Sequence, residues 1–227
     1  MHQAQAAGGV QLGLFTATSN RLMRAVEVGY GRSDEKLLRY MRENISFFSA
    51  AKTQHQAVEL SGLLLNEQGQ RKPWRAFRND ALQVHEQYNV RWLKTEYEHA
   101  VASAQMAAKW EEFEESPFLL QYETVGDSRV RPEHRAWDGI TLPADHPWWQ
   151  THYPPNDWLC RCTAIGAAPD ARPTPSSILP ALPEPSAGFE SNVGQTGTIF
   201  PEQHPFFAEL DRSQQAEVMR VALQANG

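Results

Sequence analysis

The sequence predicts an α+β fold, with a helical N-terminal half followed by a small antiparallel sheet. Apolar residues recur at three- and four-residue steps through residues 33–117, which is the spacing of one helix face. Apolar and polar residues then alternate in residues 118–125 and 159–165, as in half-buried strands. A proline-interrupted stretch separates the two predicted strands. We therefore expect a small sheet that carries a long irregular loop.

Length, charge and cysteine content exclude several classes of protein. The chain has 227 residues and a formal net charge of -6, so it can bury a core but has no overall positive charge to attract DNA or a membrane. Its 2 cysteines are too few for a secreted disulfide framework and favour a reducing compartment. No run of about 18 apolar residues is present, so we expect no membrane span. The N-terminus also lacks the pattern of a signal peptide.

The N-terminal half predicts an arm followed by helices. Residues 1–32 are glycine-rich and weakly periodic, and we predict a flexible arm there. Ser33 could cap the first helix, and Pro73 could begin the next after a turn. Residues 74–113 contain neither proline nor glycine. They predict one long helix, or two helices joined near Tyr88.

The long helical stretch is predicted to bury one apolar stripe. Its members are Phe77, Leu82, Leu93, Tyr97, Val101, Ala104 and Ala108. Glu96 and His99 lie on the same predicted helix, where a charged residue usually faces solvent. A functional role for these two residues is the less favoured interpretation.

The predicted sheet and its loop contain both cysteines. A turn after the first strand leads to a short helix that begins at Pro132 and ends near Gly139. Residues 140–157 are predicted to be irregular, because prolines interrupt them. The second strand contains Cys160 and Cys162 on one face, and we expect it to pair with the first.

The cysteine pair suggests a metal site. Residues i and i+2 of a strand face the same side, so both thiols could reach one ion, whereas a disulfide between them would be strained. Zinc usually takes four nitrogen or sulfur ligands in a tetrahedron. His134 is the best third candidate, and the fourth could be His152, His146 or Asp127. The competing interpretation is that the cysteines are small buried hydrophobic residues and that His134 only forms hydrogen bonds.

Charged residues around the first turn permit other interpretations. A metal nuclease or a cysteine–histidine nucleophile could be built from Asp127, Arg129, Arg131, Glu133 and His134. The sequence has no recognisable phosphate-binding glycine loop and no carboxylate pair at a telling spacing. The simpler interpretation is structural, with arginines holding carboxylates and tryptophans fixing the loop. A further hypothesis is direct DNA binding through Arg129, Arg131, Arg135 and Arg161.

The stretch from about Val90 to Ile165 resembles the phage Mu F-like family of minor head proteins, also called head morphogenesis proteins. The residues that carry the resemblance are Thr95, Glu96, Asp127, Arg129, Arg131, Pro132, His134, Gly139, Pro154, Pro155, Asn156, Cys160, Arg161 and Cys162. A second group of residues resembles the part of the family's sequence that follows this stretch. It consists of Gly188, Phe189, Asn192 and Gly194.

The resemblance implies a virion assembly protein rather than an enzyme. Family members come from tailed phages or prophages, associate with the portal, and act in head morphogenesis and in DNA packaging or delivery. The implied partners are the portal protein, inner capsid or scaffold proteins, and DNA. The implied location is the phage head, after assembly in the bacterial host cytoplasm. The family's histidine and C-x-C positions look like a metal site and favour zinc. A metal-dependent nuclease or hydrolase acting on phage or host DNA is the alternative.

The sequence thus predicts five consecutive segments. They are an arm (1–32), a helical region (33–117), a Mu F-like core module (118–168, with the resemblance starting at about residue 90), a proline-rich linker and loop (169–200) and a C-terminal helix (201–227). The apolar residues of that last helix are Phe207, Leu210, Met219, Val221 and Leu223.

Overall fold

The computed structural model describes residues 9–31, 35–114 and 116–226, and the predicted α+β class is confirmed. The helices are α1 (Leu12–Tyr30), α2 (Glu35–Gly62), α3 (Trp74–Glu86), α4 (Leu93–Glu114), α5 (Pro132–Trp137), α6 (Trp149–His152), α7 (Val193–Thr196), α8 (Pro205–Ala208) and α9 (Arg212–Asn226). The strands are β1 (Leu119–Glu123), β2 (Thr141–Pro143) and β3 (Thr163–Gly166). Each helix in the described ranges is too short or too polar to cross a lipid bilayer.

Local contacts divide the chain into two compact units. Unit 1 comprises the described residues up to Met23, Arg42–Tyr97 and the residues from Glu202 onward. Unit 2 comprises Arg24–Met41 and Glu98–Pro201. These units differ from the predicted consecutive segments, because α1, α2 and α4 each contribute residues to both.

Helix α1 corrects the prediction of a flexible arm, as far as residues 1–32 are described. Leu22, Ala25 and Val26 have no exposed surface, and their spacing is that of one helix face. Gly29 explains why the glycine content was misleading. A Cβ atom there would lie 2.5 Å from the Val101 carbonyl oxygen of α4. The glycine thus permits a close helix contact rather than marking a loop.

A π-helical turn, Gln87–Trp92, joins α3 to α4 and changes the predicted buried stripe. Tyr88 is fully buried and Val84 is 6% exposed, whereas Leu82, a predicted stripe member, is 51% exposed. A π-helical turn contains more residues than an α-helical one, so the buried face shifts along the sequence. Spacing counted at α-helical periodicity through this turn therefore assigns the wrong residues.

Glu96 and His99 are buried on α4, which corrects their predicted solvent exposure. In unit 1, Lys52 Nζ lies 2.5 Å from Glu96 Oε2, and both side chains are at most 4% exposed. Burial lowers the pKa of Lys52 and raises the pKa of Glu96, while the attraction within the pair opposes both shifts. The partner lies 44 residues away in the chain, so periodicity within one helix could not reveal it.

The sheet belongs to unit 2 and has the strand order β2-β1-β3. The predicted antiparallel pairing of the two strands is confirmed, with Tyr122 opposite Ala164. Strand β2 and helix α6 correct the prediction that residues 140–157 are wholly irregular. Strand β3 is also shorter than predicted. Leu159 has a φ of 56°, outside the extended region, so the chain turns there and both cysteines precede the strand.

Residues 169–200 are docked on unit 2 rather than forming an extended linker. The indole N–H of Trp137 donates to the Pro183 carbonyl oxygen at 2.9 Å. The Thr141 N–H donates to Thr174 Oγ1 at 2.9 Å, beside strand β2. Helix α7 also replaces part of the predicted loop. Proline removes backbone donors, so the segment forms no ladder, yet side chains and single hydrogen bonds hold it in place.

The C-terminal segment forms α8 and α9 instead of one helix. Asp211 interrupts it, because its carboxylate accepts hydrogen bonds from the N–H groups of Ser213 and Gln214 at 2.8 and 2.9 Å. The new helix start changes which face is buried. Met219 and Leu223 are 44% and 69% exposed, contrary to prediction. The buried residues of α9 are Val218, Val221 and Ala222.

Candidate metal centre

Three side chains with metal-binding atoms converge in unit 2. His134 Nδ1 lies 3.5 Å from Cys160 Sγ and 3.4 Å from Cys162 Sγ. A tetrahedral zinc ion with a Zn–S bond of about 2.3 Å and a Zn–N bond of about 2.0 Å would hold nitrogen and sulfur about 3.5 Å apart. The three ligand atoms all lie within 4.8 Å of one another. The spacing therefore suits three corners of a zinc tetrahedron, and it also suits thiol–imidazole hydrogen bonds.

Local sequence explains how these side chains meet. Pro132 begins α5, where its fixed φ suits the first helical turn, and this short helix carries His134. The imidazole stacks on Trp137, with ring centroids 4.9 Å apart. Gly139 has a φ of 79°, and its N–H donates to the Tyr122 carbonyl oxygen of β1 at 2.9 Å. The hydrogen bond ties the end of α5 to the sheet beside the cysteines.

The surroundings of Cys160 favour the thiolate form. A hydrogen bond from Cys162, with further ones from His134 and from the Cys162 and Asn156 backbones, lowers the pKa of Cys160 against the opposing effect of burial. The hydrogen bond with Cys160 and burial raise the pKa of Cys162. The thiolate is the form in which a cysteine binds a metal, so zinc binding would favour loss of the thiol protons.

Tyr122 borders the same site and was not among the predicted residues. Its hydroxyl donates to Asn156 Oδ1 at 3.1 Å and also interacts with both thiols. Burial, followed by the charge of Cys160, raises the pKa of Tyr122, so the phenol remains a hydrogen-bond donor. Alternation predicted that Tyr122 is buried, but nothing in the local pattern indicated contact with the cysteines.

The three candidates for a fourth ligand lie elsewhere. His152 stacks on Trp148, with ring centroids 4.4 Å apart, and burial lowers its pKa. His146 accepts a hydrogen bond from the Trp148 N–H through its Nδ1 atom. Asp127 binds an arginine. Within the described part of the chain, none of these three joins the histidine and two cysteines as a group that could hold a metal.

Comparison with known proteins identifies the family. A profile of phage Mu protein F-like proteins matches residues 16–165, about two thirds of the chain. The chain belongs to the phage Mu protein F-like family. No solved structure matches the chain.

Two relatives of this Mu F-like chain are named after phage proteins. One is the Mu-like prophage FluMu F protein of Haemophilus influenzae, with 46% identity over 70 residues that cover 31% of this chain and 17% of the relative. The other is the putative capsid assembly protein F of Escherichia phage Mu, with 50% identity over 50 residues that cover 21% of this chain and 11% of the relative. The aligned regions are thus a small part of each relative's length.

In this Mu F-like chain, Asp127 and Arg161 clamp the start of the loop to its end. Two arginine nitrogens lie 2.8 Å from the two carboxylate oxygens, a two-pronged geometry. The hydrogen bonds from Arg161 lower the pKa of Asp127. Arg129 adds a longer contact of 3.5 Å to the same carboxylate and remains mostly exposed.

The other two arginines predicted to bind DNA also hold the loop. Arg131 lies 3.0 Å from the Asp157 carboxylate and donates to the Trp158 carbonyl oxygen at 2.8 Å. Arg135 donates to the carbonyl oxygens of Asp127 and Val130 at 3.3 and 3.2 Å. These contacts favour the structural interpretation of the family motif over a nucleic-acid surface.

The remaining residues of the family motif lie in the loop and on α4. The peptide bond between Pro154 and Pro155 is cis, and the Asn156 amide donates to the Tyr153 carbonyl oxygen at 3.3 Å. Thr95 is half-buried on α4.

His99 is the second residue with an unpredicted role in the Mu F-like fold. Its Nε2 lies 2.9 Å from the Ile199 carbonyl oxygen, 100 residues along the chain. The ring packs against Trp158 and Phe189, with centroids 4.9 and 5.6 Å away. Burial lowers the pKa of His99 to about 4, so the neutral imidazole is the stable form. No local sequence signal could identify a partner at that separation.

Proposed function

We propose that the protein is a minor head protein of a tailed phage or prophage that associates with the portal and acts in head morphogenesis and in DNA packaging or delivery. The observation that carries this proposal is the family match over residues 16–165. The name of the phage Mu relative, a putative capsid assembly protein, supports a place in the head. Assembly would take place in the bacterial host cytoplasm, together with portal and inner capsid or scaffold proteins.

The proposed role is structural rather than enzymatic. The motif residues that could have formed a catalytic cluster form loop contacts instead, above all the pair of Asp127 and Arg161. Such side-chain contacts give the loop a defined shape, which a docking surface requires.

Procapsids assembled with and without the portal protein test this function. We expect the protein to co-purify with portal protein of the same phage and to enter portal-containing procapsids in few copies. Procapsids assembled without portal are the matched control and should contain much less of it. Equal incorporation into both kinds of procapsid would contradict the portal association, and absence from both would contradict the head-protein role.

We also propose that His134, Cys160 and Cys162 hold one zinc ion. The nitrogen–sulfur distances of 3.4 and 3.5 Å support this proposal, as does the low pKa of Cys160. When bound, zinc would join α5 to the segment before β3 and so stabilise the loop between them. The fourth ligand lies outside this group of three.

Elemental analysis of the purified protein should find about one zinc per chain, because three ligands are already gathered. Replacing both cysteines, as Cys160→Ser with Cys162→Ser, or replacing His134→Asn should remove most of the metal. His146→Asn is the matched control and should retain it, since that imidazole hydrogen-bonds the backbone elsewhere. Zinc content that is unchanged by loss of both cysteines would rule out this site.

A further inference from the structure

The start of α3 has an unpaired basic surface in a chain with a net charge of -6. Four basic residues, Arg71, Lys72, Arg75 and Arg78, fall within eight positions. Lys72 forms an ion pair with Asp80 at 2.8 Å. In the described part of the chain, the other three guanidinium groups have no hydrogen-bond or ion-pair partner. Their charge is therefore available to an external ligand.

Aromatic side chains accompany these charges. Trp74 is 72% exposed, and its ring lies 5.9 Å from that of Phe77 between centroids. Of the 13 residues of α3, only Val84 is buried. The core of unit 1 thus does not account for this helix face, and the Trp74 indole is accessible to a ligand.

The arginines and the exposed aromatic ring lie at the same end of α3. Arg75 and Arg78 are three residues apart on α3 and so lie on one side of the helix. Trp74 begins the same helix, and Arg71 precedes it. Guanidinium groups bind phosphate oxygens in a two-pronged manner, and an exposed aromatic ring can stack on a base.

We propose that Arg71, Trp74, Arg75 and Arg78 form a DNA-binding surface, the α3 basic surface, whose arginines contact backbone phosphates. It replaces the predicted DNA site at Arg129, Arg131, Arg135 and Arg161, most of whose donors are engaged inside the loop. The surface belongs to unit 1 and shares no residue with the metal centre. DNA binding there rests on the DNA packaging or delivery part of the proposed function and does not depend on portal association.

Fluorescence anisotropy with a labelled duplex of about 30 base pairs tests the surface, because salt dependence counts phosphate contacts. Three contacts predict that binding weakens about 40-fold when sodium chloride rises from about 50 to about 200 mM. A triple variant, Arg71→Ala with Arg75→Ala and Arg78→Ala, should bind at least about tenfold more weakly at the lower salt concentration. Circular dichroism of this variant checks that the fold is intact. The DNA should be recovered at full length, because the surface is proposed to bind DNA and not to cleave it.

A charge-matched variant provides the control. Arg42→Ala with Arg172→Ala and Arg212→Ala removes the same number of charges from exposed positions outside the surface, and its affinity should stay within about twofold of the unmodified protein. Trp74→Ala should weaken binding to single-stranded DNA more than to duplex, because stacking needs an accessible base.

Three results would overturn the proposal. They are unchanged affinity in the arginine variant of the α3 basic surface, an equal loss in the charge-matched control, and binding to vesicles of anionic phosphatidylglycerol without binding to DNA. The last result would assign the surface to a membrane instead.

Discussion

Replacing Lys52→Met should lower the free energy of unfolding by about 3–5 kcal/mol, because it leaves the Glu96 carboxylate buried without its partner. Both side chains are at most 4% exposed, and Lys52 Nζ also lies 5.8 Å from the centre of the Phe206 ring. An apolar environment of this kind cannot solvate a lone charge. The loss of unfolding free energy should be smaller at lower pH, because protonation neutralises the Glu96 carboxylate.

The double replacement Lys52→Met with Glu96→Leu should recover most of this loss, because a buried ion pair and an apolar pair of similar volume often have similar stabilities. Urea unfolding of both single variants and the double variant measures the coupling. Lys72→Met is the matched control. It breaks the partly exposed pair with Asp80 and should cost less than about 1 kcal/mol. A loss at Lys52 no larger than the loss at Lys72 would contradict the importance of the buried pair.

Acid should destabilise the protein through His99 by about 3 kcal/mol between neutral pH and about pH 4. Burial lowers the pKa of this imidazole to about 4 in the folded protein. In the unfolded chain it should titrate near its ordinary value of about 6.5. Between these values the unfolded chain binds a proton that the folded protein does not. The contribution is therefore fully present above about pH 6.5 and is lost progressively as the pH falls toward about 4.

Urea unfolding at about pH 7 and about pH 4.5, for the unmodified protein and for His99→Gln, measures this effect as a difference between the two pH values. The variant should lose a smaller part of its stability on acidification, even if its stability at neutral pH is lower. Burial also lowers the pKa of His204 to about 4 and lowers that of His152, so some dependence should persist in the variant. The exposed His85→Gln is the matched control, and its loss of stability on acidification should exceed that of His99→Gln. An identical pH dependence in His99→Gln would exclude His99 as a cause.

Features with a local cause were predictable from the sequence. Helix α5 begins at Pro132 and ends before Gly139, as predicted. Proline suits the first helical turn, and glycine accepts a positive φ beyond the last one. The alternation in β1 correctly predicted its two buried side chains, Leu120 and Tyr122. Residue type alone suggested that His134 could join the cysteine pair, because histidine and cysteine are common zinc ligands, and in the fold their side chains lie 3.4 and 3.5 Å apart.

Features that depend on distant partners were not predictable. Helix α1 is held by its buried face and by the close approach at Gly29, although its glycines and polar residues suggested an arm. Glu96 was expected to face solvent, because its buried partner Lys52 lies 44 residues away in the chain. The ion pair of Arg161 with Asp127 was not predicted either, because the two residues lie 34 positions apart in the chain.

The sequence by itself determined the α+β class and the family. Helix and strand propensity, turn chemistry and motif spacing act over a few residues, so they can be recognised in the sequence itself. Tertiary structure alone decided that α1 is a helix, that Glu96 and His99 are buried, and that Arg161 pairs with Asp127. Each of those outcomes depends on contacts between residues that are far apart in the sequence, and short-range sequence patterns contain no information about such contacts.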